Sequence, residues 1–271
     1  MVFVSDRDGV EGLYWRRLPR DRERRLTSTS EPVHEPAISP DGASVAFAMG
    51  GRIGLVGVAT GDLQMLTLGV DWYDSSPAWR PDGKGLVVTA RRTAGVGSGL
   101  HVLDLARSGD VERHPLTQSR GLEDQSPAVS PDGTYVVFVR EDNLWRVSLA
   151  DGHVLRLTGG FKKSRAPRFL PSGRVVCLWS EGKSHGIDVL DADGRNRETI
   201  WQGPVYYRSL APSPDGRYLA ATFTYDLQFH PASALRARQP EEVRLLDAHG
   251  RLLGRLESSW RHTNHSPDWA R

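Results

Sequence analysis

Ser130-Pro131-Asp132-Gly133-Thr134-Tyr135-Val136-Val137-Phe138-Val139 couples a tight turn to a strand, and the rest of the chain repeats the pattern. Proline sets its own φ, Asp accepts hydrogen bonds from nearby backbone amides, and Gly takes φ > 0 without a Cβ clash. The run after the turn is β-branched and aromatic, the composition of a strand. The turn recurs as Ser39-Pro40-Asp41-Gly42, Arg80-Pro81-Asp82-Gly83, Leu170-Pro171-Ser172-Gly173 and Ser213-Pro214-Asp215-Gly216. Successive prolines stand 41, 50, 40 and 43 residues apart, a spacing of about 40–50 residues that suits propeller blades.

Each copy has the same surroundings. An apolar triplet precedes the turn, as in Pro36-Ala37-Ile38, Pro77-Ala78-Trp79 and Pro127-Ala128-Val129. Two more strands follow, for example Leu144-Trp145-Arg146-Val147-Ser148-Leu149 and then a short strand that tends to close on Leu-Thr, as at Leu26-Thr27, Leu116-Thr117 and Leu157-Thr158. Four antiparallel strands per repeat make one blade. The chain opens on a second-strand pattern, Val2-Phe3-Val4-Ser5-Asp6. It closes on Ser266-Pro267-Asp268-Trp269-Ala270-Arg271, which aligns with Ser76-Pro77-Ala78-Trp79-Arg80-Pro81. The C-terminus is therefore expected to supply the innermost strand of the first blade, which would remove two sheet edges. The expected fold is all-β, a six-bladed β-propeller occupying residues 1–271 as one domain.

The remaining composition narrows function by exclusion. Of 271 residues, 35 are basic and 33 acidic, a net charge of +2, so no general field attracts nucleic acid or an anionic membrane. Cys177 is the single cysteine and lies in Val175-Val176-Cys177-Leu178-Trp179, where a small buried hydrophobe is expected. No apolar run reaches the roughly 18 residues of a membrane span. Met1 to Asp6 lack the pattern of a secretory signal, so the expected location is the cytoplasm, or the periplasm if a leader has been removed. No Gly-x-Ser-x-Gly elbow, P-loop or dinucleotide fingerprint occurs.

Val4-Ser5-Asp6-Arg7-Asp8-Gly9 and the stretch from Ser130 to Val139 resemble the propeller repeat of TolB. The repeat also occurs in the propellers of prolyl-oligopeptidase-like enzymes. The resemblance covers essentially the whole chain. It implies a six-bladed propeller and, from TolB, periplasmic partner proteins bound by that propeller. From other propeller enzymes it implies a channel that can hold a metal through histidines.

The loop that enters each innermost strand surrounds one mouth of the central channel. Counting five residues back from each turn gives His34, Ser75, Gln125, Arg165, Arg208 and, by alignment, His265. Asp74, Asp124, Ser164, Tyr207 and Asn264 stand just before them. The candidate ligand-binding residues are His34, Asp74, Asp124, Gln125, Arg165, Tyr207, Arg208 and His265. Arg165 and Arg208, on neighbouring blades, offer two guanidinium forks for a carboxylate or phosphate. Asp74 and Asp124 would make the opposite side anionic. The expected partner is a peptide or protein segment with an acidic group, and neither catalytic residues nor a cofactor nor a resident metal is expected. The same residues also read as a solvated rim. Two further alternatives remain open: a metal-dependent lyase or hydrolase using His34 and His265 with Asp74, Asp124 or Gln125, and a propeller that gates a separate hydrolase. Tyr225 to Pro240 are an insertion in the last internal blade that could cover a mouth, dock a partner or be a plain loop.

Overall fold

A computed structural model describes residues 1–17, 23–95, 97–106, 110–118, 121–224, 241–255 and 264–269, and of 224, 241, 264 and 265 the backbone only. The insertion from 225 to 240 lies outside them. The described residues form six four-stranded antiparallel sheets, the blades of a propeller. In chain order from the inner strand outward, blade 2 is β4 (His34–Ile38), β5 (Ser44–Met49), β6 (Arg52–Gly57) and β7 (Leu63–Met65). Blade 3 is β8 (Trp72–Trp79), β9 (Gly85–Arg92), β10 (Gly99–Leu105) and β11 (Val111–Pro115). Blade 4 is β12 (Asp124–Val129), β13 (Tyr135–Arg140), β14 (Asn143–Ser148) and β15 (Val154–Arg156). Blade 5 is β16 (Lys163–Phe169), β17 (Val175–Glu181), β18 (Ser184–Leu190) and β19 (Glu198–Gly203). Blade 6 is β20 (Tyr206–Pro212), β21 (Tyr218–Thr224), β22 (Glu241–Asp247) and β23 (Leu252–Arg255).

Blade 1 joins the two ends of the chain. Its inner strand is β24 (Asn264–Asp268), which pairs with β1 (Val2–Ser5), followed by β2 (Gly12–Trp15) and β3 (Arg24–Arg25). The inner strands touch in cyclic order, β24 to β4, β8, β12, β16, β20 and back to β24. Two tryptophans bolt neighbouring blades together at equivalent positions. Trp79 Nε1 donates to the Ala37 carbonyl at 2.9 Å, and Trp269 Nε1 donates to the Ala211 carbonyl at 2.8 Å.

The turns form for the reasons their residues suggest. Ser39, Ser130 and Ser213 each donate from Oγ to the Asp two residues on, at 2.6 Å. That carboxylate accepts the backbone N–H of Ala43, Thr134 or Arg217, and Gly42, Gly133 and Gly216 take positive φ. The Leu-Thr ends have an equally local cause. Thr27, Thr67, Thr117 and Thr158 accept the buried N–H of Leu13, Ile53, Leu100 and Leu144 on the adjoining third strand, at 2.8–2.9 Å.

The core is six layers, one between each pair of neighbouring blades. The middles of the second strands are apolar because both of their faces are covered. In β5, Val45 and Phe47 face blade 1 while Ala46 and Ala48 face blade 3. Cys177 is fully buried, and burial pushes its thiol up to about 12. Among the described residues no helix is long and apolar enough to cross a membrane.

Candidate functional site

Every inner strand carries a β-bulge. In five blades it sits at a residue–proline pair, and the residue before the proline has positive φ: Glu35 (51°), Ser76 (50°), Ser126 (53°), Ala166 (48°) and Ser266 (49°). Proline cannot donate to the ladder, so a bulge is where a strand tolerates it. A non-glycine residue held in this region costs about 1–3 kcal/mol, and such positions concentrate at functional sites. Blade 6 has Ser209-Leu210 instead, and its bulge falls at Arg208.

These bulges form the wall of a cavity of about 870 Å³. All six blades contribute, through Glu35-Pro36, Ser76-Pro77, Ser126-Pro127, Ala166, Ser209 and Ser266-Pro267. Strand direction alternates within a blade, so the loops entering inner strands and the turns between second and third strands share one face. The cavity opens among them, beside Asp6, Glu11 and His34. Leu68, Val70 and Phe161, in the loops entering β8 and β16, are 80%, 72% and 91% exposed on that face. Tyr73, in β8, is exposed as well.

Of the candidates read from the sequence, the cavity wall includes His34 and Arg208. His34 Nδ1 lies 3.1 Å from Glu11 Oε2, and the hydrogen bond to that carboxylate raises the histidine above its usual 6.5. Asp74 is buried and bidentate to Arg113, at 2.7 and 3.0 Å. Asp124 is buried, bidentate to Arg140 at 2.6 and 2.8 Å, and accepts from Thr117 Oγ1. Both carboxylates are thus paired with an arginine of their own blade, and the acidic groups lining the cavity are Asp6, Glu11 and Glu35 instead.

Gln125 is exposed and donates to Glu123 at 2.7 Å. Arg165 lies over the Tyr206 ring, 4.2 Å from its centroid, and reaches Ser180 Oγ at 3.3 Å. Burial is the main cause that lowers its pKa, with the like charge of Arg208 a smaller one. Tyr207 is core, edge-on to Trp201 and Phe223. His265 pairs through its backbone with Val4, and its side chain is outside the described atoms. Among the described residues no group of three or more His, Cys, Asp or Glu is placed to hold a metal ion.

The structure adds residues that counting back five positions missed. Glu35 accepts from the backbone N–H of Ser76 at 2.7 Å and from its hydroxyl at 3.0 Å, tying blade 2 to the bulge of blade 3. Arg168 lines the cavity. Asp268 accepts the Ile38 N–H at 2.7 Å. A signal for the last two was present. Two residues before the turn the blades read Ala37, Ala78, Ala128, Arg168, Ala211 and Asp268, so the charged pair stands out against alanine.

No protein-family model matches the chain. A TolB homolog of Chlorobium luteolum is 32% identical over 141 residues, 51% of this chain and 31% of that protein. The Tol-Pal system protein TolB of Francisella tularensis subsp. mediasiatica is 23% identical over 269 residues, 79% of this chain and 59% of that protein. The chain thus spans between about a third and three fifths of these relatives' length. The crystal structure of TolB from Acinetobacter baumannii superposes with a TM-score of 0.79 at 18% identity, covering 99% of this chain and 66% of that one. An oligogalacturonate lyase in complex with manganese superposes with a TM-score of 0.68 at 14% identity, covering 96% and 75%. The structural likenesses establish a shared fold, and the sequence matches mark the chain as a relative of bacterial TolB proteins.

Proposed function

We propose that this six-bladed propeller of the TolB type is a binding module that takes a peptide or protein segment at the mouth of its central channel. The observation that carries the proposal is one face of the ring. A cavity lined by all six blades opens there, and Leu68, Val70, Tyr73 and Phe161 are exposed apolar side chains on the same face. A concave centre with a few charged groups suits one anchoring segment. The charges in the wall, Arg168 and Arg208 against Asp6, Glu11 and Glu35, would orient that segment more than hold it. His34, Gln125, Arg165 and His265 would flank its path. Relatedness to TolB supports protein partners and a periplasmic place of action.

Peptide display against the purified protein tests the proposal. Selected peptides should compete with one another and bind at least about tenfold more weakly to Phe161→Ser and to Arg208→Ala, the loss of a single good contact. Lys84→Ala, on the turn face, should bind like wild type. Peptides indifferent to both mouth substitutions would refute a channel-mouth site.

A further inference from the structure

The innermost strands converge on the channel, and two residues before each turn four of them carry alanine: Ala37, Ala78, Ala128 and Ala211. Blade 5 places Arg168 at this level, and its side chain reaches into the cavity wall from a point deeper along the strand than the bulges. Among the described residues its one hydrogen bond is from Nη1 to the carbonyl of Pro167, at 2.9 Å. Two carboxylates lie within electrostatic range, Asp268 and Glu35. Each is held elsewhere. Asp268 accepts the Ile38 N–H, and Glu35 accepts from Ser76. Among the described residues no carboxylate forms an ion pair with Arg168, and the residue lines the cavity.

Resting on the reading that the channel takes a peptide segment, we propose that Arg168 receives a carboxylate of that segment at the inner end of the cavity. A guanidinium presents two parallel N–H donors at the spacing of a carboxylate's oxygens. The enclosing wall weakens water's competition for that contact. Burial of Arg168 lowers its pKa, the cost of keeping a cation where a bound anion would relieve it. Asp268 is the sequence's other departure from alanine at this level; burial raises its pKa, and in its ionised form its charge opposes the incoming one. Removing that charge should therefore tighten binding.

Citrate serves as a tricarboxylate probe, titrated calorimetrically at constant ionic strength, with inorganic phosphate as a second arm. Wild type should bind citrate saturably. Arg168→Ala restores the residue four other blades carry, so it should fold, and it should bind citrate at least about tenfold more weakly. Asp268→Asn keeps an oxygen for Ile38 while removing the charge, and it should bind more tightly than wild type. No saturable citrate binding, equal binding by Arg168→Ala, or phosphate bound more tightly than citrate would each overturn the proposal. The display-selected peptides separate the two ideas. Peptides that bind Arg168→Ala as well as wild type would leave the channel mouth standing and remove Arg168. Saturable citrate binding with no peptide binder would do the reverse.

Discussion

His101 shows at the scale of one residue how the blades tax ionisation. It is buried, its ring centroid is 4.4 Å from that of Trp72, and Arg113 lies 3.5 Å from its Nδ1. Burial first, and the Arg113 charge second, push its pKa down to about 4 from 6.5. The unfolded chain therefore binds a proton that the folded chain refuses between those values. Stability contributed by the neutral ring is complete above pH 6.5 and is lost as pH falls toward 4. The loss is on the order of 3 kcal/mol. In urea unfolding at stepped pH, His101→Gln should flatten the stability profile between pH 6.5 and 4. A variant with the wild-type slope would place the acid sensitivity elsewhere. His34 behaves oppositely, since its Glu11 partner raises its pKa. The two histidines differ because one faces an arginine in the interior and the other a carboxylate at the mouth.

Among elements, the third strand depends on a hydroxyl that belongs to the fourth strand's end. Thr27, Thr67, Thr117 and Thr158 satisfy buried amides that ladder pairing leaves over. Thr67→Val preserves shape but strands the Ile53 N–H, which costs about 1–3 kcal/mol. Thr158→Val should cost a similar amount at Leu144, and the double variant should be close to additive because the sites share no partner. Equilibrium denaturation measures both, and a Thr67→Val protein as stable as wild type would show that the hydroxyl bond contributes nothing. Thr117 is a poorer test because Asp124 also accepts from it, at 2.5 Å.

For the whole molecule the decisive contact is between chain ends. Strand β24 gives blade 1 its inner strand, Trp269 reaches Ala211 in blade 6, and Asp268 reaches Ile38 in blade 2. Deleting residues 264–271 would expose the backbone edge of β1 and uncover Phe3, Ala211 and Val243, which are now buried together near Trp269. An unpaired edge beside apolar surface promotes association. Light scattering after size exclusion should find oligomers or aggregates, with a lowered melting temperature. A monomer that melts like the full chain would mean that the ring does not need β24.

The sequence alone determined the turn, the blade count, the shared first blade and the face carrying the mouth. Each of these rests on local chemistry repeated at a fixed spacing, so a copy such as Ser130-Pro131-Asp132-Gly133 needs no tertiary context to be read. Which side chains face the cavity was decided only in three dimensions. Side chains alternate along a strand, and a one-residue bulge reverses the alternation. Every inner strand bulges between the mouth and the turn, so counting back from the turn selects a level but not a direction. At that level His34 and Arg208 line the cavity, while at the neighbouring position Asp74, Asp124 and Tyr207 are interior. Arg113 on β11, 39 residues from Asp74, and Arg140 on the paired strand β13 claim the two carboxylates. Arg168, at a level that four blades fill with alanine, faces the channel because its strand has already passed the bulge.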